Sequence, residues 1–207
     1  MDPLRALAAA LVPPLCAACG RSCPRPGILC SRCRWELEAL PAPGGGPPPG
    51  LDAAFSTAVH DGVPRQLVAA LKFRSLLPVA GLMAERIALL APPGALAGDL
   101  VPVPAAPLRL LRRGFDPATE LAEALGRRSG SQPCACMARR GGGRQVGRGR
   151  TRRLGDPPRV RVAAAPPLDA VLVDDVLTTG ATLSACARAL REAGARRVTA
   201  VTFSRRP

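Results

Sequence analysis

Lysine is almost absent: of 29 basic side chains only Lys72 is a lysine, and the others are arginine. Tyrosine is missing, tryptophan and histidine occur once each, and phenylalanine four times. So few rings weaken the case for a surface that stacks single-stranded bases, and the lone His60 leaves little for histidine-based acid–base chemistry. No apolar run approaches the roughly 20 residues that a membrane-crossing helix requires, so no membrane insertion is expected. The opening MDPLRALAAALVPPLC has a short apolar centre, but Asp2 offsets Arg5 and the positive start of a secretory leader is lacking. A cytoplasmic chain is expected, with residues 4–12 as a short helix stopped by Pro13 and Pro14.

The net charge is +14, and its distribution is uneven. Residues 105–161 hold 14 arginines against the four acids Asp116, Glu120, Glu123 and Asp156. A patch of that sign attracts phosphate, whether on a nucleic acid or on a small phosphorylated ligand; the competing reading is a solvated surface in a chain of biased composition. At 207 residues the chain suits one ordinary core with a small satellite module.

Five of the eight cysteines crowd near the amino terminus as CAAC, ten residues, then CSRC, with Cys23 between the pairs. Each Cys-x2-Cys knuckle presents two thiolates to one side of an ion, and two knuckles complete a tetrahedral zinc site. The ligands read as Cys16, Cys19, Cys30 and Cys33, with Cys23 as a possible substitute. Four protein ligands leave no open position for water, which makes such a metal structural. A disulfide framework is disfavoured by the odd cysteine and the missing leader.

The proline- and glycine-rich PAPGGGPPPG then reads as a linker, giving a cysteine module at 1–40, a linker at 41–50 and a main domain at 51–207. In the main domain the hydrophobic periods predict strands at 52–59, 99–103, 160–163, 170–173 and 197–203. They predict helices at 64–73, 79–91, 108–113, 117–127 and 181–193, with Asp116 as an N-cap before Pro117. Residues 137–159 keep no apolar period and read as an exposed arm. Strand, helix and strand at this spacing make a parallel crossover, so the fold class is α/β, a mostly parallel sheet flanked by helices, with a small zinc ribbon ahead of it.

Residues 170–182, AVLVDDVLTTGAT, carry the most specific chemistry. An apolar strand runs into Asp174 and Asp175, and residues 178–182 form a small, hydroxyl-rich turn at a helix start, where ligands bind in open α/β sheets. Free N–H groups and the helix dipole favour an anion at Thr178, Thr179, Gly180, Ala181 and Thr182. Like charges repel, so the two acids suit neutral donors beside that anion, and adjacent sugar hydroxyls meet the requirement. A phosphorylated ribose satisfies both halves. A phosphate-binding ATPase reading fails because Lys72 sits in ALKF with no glycine loop ahead of it.

These thirteen residues resemble the signature of type I phosphoribosyltransferases. With PLCAACG, CSRC, LVAALKF, DLVPVP, LLRRGFD and a Gln145 in a basic stretch, in that order, the chain resembles the ComF/GntX family of competence-associated phosphoribosyltransferase-like proteins. The resemblance implies phosphoribosyl pyrophosphate as ligand, Mg2+ bound with its pyrophosphate, ribose hydroxyls on Asp174 and Asp175, and the 5′-phosphate on residues 178–182. It also implies a pyrophosphate side at Val103, Pro104 and Arg113. The acceptor base, turnover and oligomeric state stay open. The family's link to DNA uptake adds a second reading: an accessory protein for single-stranded DNA or a competence helicase. The likeness departs at Asp116 and Pro117, where the family has a different polar pair.

Overall fold

The computed structural model describes residues 14–23, 27–139 and 160–207. The helix expected at 4–12, Gln145 and all but the first three residues of the basic arm lie outside the described residues.

Helix α1 (Ser31–Glu38) follows the second cysteine knuckle. Strand β1 (Ala53–Val59) then leads into α2 (Gly62–Arg74) and α3 (Pro78–Leu90). Next come β2 (Asp99–Pro102), α4 (Pro107–Arg113) and α5 (Pro117–Ser129). The chain continues through β3 (Met137–Arg139), β4 (Val160–Val162), β5 (Asp169–Leu177), α6 (Ala181–Glu192) and β6 (Arg197–Arg205). Four strands form one sheet in the order β1-β6-β5-β2, all parallel, and β3 pairs antiparallel with β4 in a separate ribbon. Among the described residues no helix is long and apolar enough to cross a membrane.

Helices cover both faces of the sheet, which is why β5 and β6 read as near-continuous apolar runs. Alternation sorts their residues: Val171, Val173, Val201 and Phe203 pack with α2, α3 and α5, while Ala170, Leu172, Val198 and Ala200 pack with α6. The cysteine module adds Cys16, Cys33 and Leu37 to the first of these cores. Arg86 on α3 reaches from it to the sheet, its Nη2 donating to the carbonyls of Leu40 at 2.7 Å and Thr57 at 3.4 Å.

Two expectations are corrected. Strand β5 does not stop at Val173; it pairs with β6 as far as Leu177 opposite Arg205, so both acids lie within the strand. The long parallel partner overrides the poor strand propensity of aspartate. The basic arm also does not begin at 137: residues 137–139 are β3, bonded to β4 from Met137 opposite Val162 to Arg139 opposite Val160. Cys136 and Met137 are buried against the α6 side, and that burial supplies what a three-residue period could not show.

Phe203 is fully buried, whereas Phe73 is 76% exposed at the end of α2. Phe203→Ala is expected to cost about 3–5 kcal/mol in urea denaturation, and Phe73→Ala to stay within about 1 kcal/mol.

Candidate functional site

A cleft of about 200 Å³ opens at the carboxyl ends of β2 and β5. Its floor is Asp174 and Asp175, one wall is Val103 to Ala106, and Thr178, Gly180 and Thr182 form another. Lys72, Arg109, Arg113 and Arg139 bring positive charge to it from α2, α4 and β3.

Both carboxylates reach the cleft, near enough for their side chains to interact. Asp175 faces α2. There the Nζ of Lys72 meets Asp175 Oδ2 at 2.6 Å, with the two side chains 25% and 4% exposed. An uncompensated carboxylate in such a position costs several kcal/mol, so this ion pair is what permits Asp175 to be buried charged. Asp174 accepts the Asp175 backbone N–H at 2.8 Å. Burial first, and the Asp175 charge second, still push the Asp174 carboxyl well above the usual carboxylate range. The floor therefore carries one paired carboxylate and one that resists ionisation.

The turn after β5 starts α6 at Gly180, with φ 76° and ψ −6°. Thr178 and Thr179 are exposed, Gly180 is buried, and Thr179 Oγ1 accepts the Ala181 N–H at 3.4 Å. The first-turn N–H groups of α6 thus open onto the cleft, with the positive end of the helix behind them. Of the five turn residues, Thr178, Gly180 and Thr182 line the cleft, while Thr179 and Ala181 do not.

Asp116 forms the opposite anchor. Its Oδ1 accepts the Ala118 N–H at 3.1 Å, the expected N-cap of α5, and its Oδ2 accepts the Ala105 N–H at 2.8 Å. One side chain thereby ties the 103–106 wall to a helix start. Burial raises its carboxyl despite those donors. Arg113 lies with its guanidinium carbon 5.3 Å from the centre of the Phe73 ring, which holds the end of α4 against the end of α2.

Val103, Pro104, Arg113, Asp174 and Asp175, all singled out in the sequence, thus line one cleft. Sequence reasoning missed Lys72 and the double role of Asp116. The isolated lysine was a usable signal, because it ends an otherwise apolar helical face. His60 does not line the cleft; its Nδ1 pairs with Ser204 Oγ at 2.9 Å, and burial, then the charge of Arg206, lower its pKa.

The thiol sulfurs of Cys16, Cys19, Cys30 and Cys33 all lie within 4.8 Å of one another. Cys19 Sγ and Cys30 Sγ are 3.8 Å apart, the edge expected when sulfurs sit about 2.3 Å from a tetrahedral ion. The donor set fits a metal, and an all-sulfur tetrahedron suits zinc. Burial opposes ionisation of Cys16, but the N–H groups of Cys19, Cys30 and Ala18 bring its thiol down to about 6. Cys23 stands apart from the four and donates to the Gly27 carbonyl at 3.3 Å.

The family model described as phosphoribosyl transferase domain matches residues 110–207. The parallel sheet and its flanking helices are in keeping with that match. Comparison with curated proteins returned no match.

Two outcomes are expected. A raised carboxyl means that the folded protein holds the Asp174 proton more tightly than the unfolded chain, so stability falls as pH rises from about 4 toward the folded value. Asp174→Asn removes that loss and should raise Tm by about 2–4 °C at pH 7, the effect of roughly 1 kcal/mol in a chain of this size, with no gain near pH 3. Thermal scans across pH check both the gain and its disappearance. Freshly reduced protein should also carry about one zinc per chain, lost with a fall in Tm on chelation; metal analysis that finds none removes the assignment.

Proposed function

We propose that the protein binds phosphoribosyl pyrophosphate, and that it is a phosphoribosyltransferase of the ComF/GntX type acting in the cytoplasm. The observation that carries this reading is the convergence of an acid pair and an anion-binding helix start in one cleft ringed by cations. Asp174 and Asp175 accept the ribose hydroxyls, and residues 178–182 hold the 5′-phosphate through backbone N–H groups and threonine hydroxyls. The 103–106 wall, braced by Asp116, meets the pyrophosphate, with Arg109, Arg113 and Arg139 offering charge to it. Mg2+ bound with the ligand would supply positive charge to offset the negative charge developing on the leaving pyrophosphate. Lys72 pairs with Asp175 at 2.6 Å and so orients that carboxylate at the floor, beside the ribose on which positive charge develops. The four thiols hold structural Zn2+.

The exposed helix α4 supports a second reading. Its Leu108 and Leu111 face solvent among Arg109, Arg112 and Arg113 beside the exposed Phe73, a surface suited to an accessory protein for single-stranded DNA or a helicase in competence. The two readings separate by experiment. Salt-dependent DNA binding that is lost when arginines in 139–153 are replaced, with no release of pyrophosphate, supports the accessory role.

Calorimetry with phosphoribosyl pyrophosphate and Mg2+ tests the first reading. The double variant Asp174→Asn with Asp175→Asn should weaken binding at least tenfold, about 1.4 kcal/mol, with the circular dichroism spectrum preserved. Unchanged binding removes the assignment of the acids. A pyrophosphate-release screen over nucleobases then identifies the acceptor.

A further inference from the structure

The linker 41–50 has the composition of a free tether, yet it is met at its start, its middle and its end. At its start the Leu40 carbonyl accepts Nη2 of the buried Arg86 at 2.7 Å. In its middle Gly45, at φ 133°, lies under the guanidinium of Arg205; a Cβ there would come within 2.6 Å of Nη1. At its end the Gly50 carbonyl accepts Nε of Arg191 at 3.2 Å, and Gly50 rests on α6 beside Ala187. Three arginines from α3, β6 and α6 therefore hold a segment that contributes no helix or strand.

Between those anchors Pro48 is buried. It lies on Gly180, where a Cβ would fall 2.7 Å from both Cβ and Cγ of Pro48, and 3.6 Å from Cδ1 of Leu177. The face of the glycine that would carry a Cβ is thus closed by the proline ring, with the last residue of β5 beside it. Gly180 must keep a positive φ for α6 to start where it does. Pro48 is one of three successive prolines, which lack N–H donors, so this wall packs without leaving a buried donor unmet.

We propose that Pro48 is a positioning residue for the phosphate turn: the linker is a fixed strap whose proline ring holds residues 178–182 in the shape that receives the 5′-phosphate. The inference rests on the phosphate role given to that turn above. Holding the turn before the ligand arrives removes part of the ordering cost of binding, so loosening the strap weakens phosphate affinity even though Pro48 does not line the cleft.

Calorimetry of the full-length, metal-replete protein with ribose 5-phosphate and, separately, with pyrophosphate tests it. Pro48→Gly is expected to raise Kd for ribose 5-phosphate about tenfold and to leave Kd for pyrophosphate, which meets the 103–106 wall, within about twofold. Pro48→Ala, which keeps a Cβ, should fall between, and it serves as the readout if Pro48→Gly folds poorly. Equal weakening of both ligands marks general loosening and overturns the proposal, as does a ribose 5-phosphate affinity unchanged in both variants. Wild-type protein that does not bind ribose 5-phosphate overturns the underlying assignment of the turn instead, and the strap's role falls with it.

Discussion

The contact between Lys72 and Asp175 links the parts of this molecule that matter for its chemistry. A carboxylate carried through the last turn of a parallel strand into a nearly closed site has to be met by a cation, and α2 delivers the chain's sole lysine there at 2.6 Å. The pair fixes how α2 sits on the sheet and leaves Asp174 as the acid that resists ionisation. It also sets the order of the floor, with a buried salt bridge on one face of β5 and a buried thiol, Cys186, pushed up to about 12 by burial on the other. A lysine suits this place as a compact charge on a flexible stem, where the planar fork of an arginine would demand more space and more acceptors.

Around that pair the cleft is assembled from short, stiff pieces. Asp116 serves two backbone donors in different elements, Gly180 turns a strand into a helix, and the linker closes the back of that turn. Two stretches of the cleft's wall, 103–106 and the turn after β5, are braced from behind, by Asp116 and by Pro48. Such sites owe their shape to the scaffold behind them, and a substitution behind the wall can matter as much as one in front.

Much of this was legible in the sequence because it is local. The four thiols announce themselves by spacing, Asp116 by its place before Pro117, and the acid pair with its turn by a thirteen-residue pattern. The two-sided burial of β5 follows from its apolar run. What escaped notice depends on partners far along the chain. Lys72 and Asp175 are 103 residues apart, so no window contains both. Pro48 meets Gly180 across more than half the chain, and glycines and prolines that read as slack turn out to be taut. Strand β5 runs on through two aspartates because β6 offers it a full-length partner, and β3 exists because β4 does.

The stretch that matches the transferase family begins at residue 110, yet it supplies only β5 and β6 of the four-stranded sheet. β1 and β2 lie outside it, as do the lysine, the 103–106 wall and the strap. The unit that sequence comparison recognises is therefore smaller than the unit that can fold. Cut at that boundary, the remaining chain would keep the signature but expose both edges of a two-stranded sheet, an invitation to self-association.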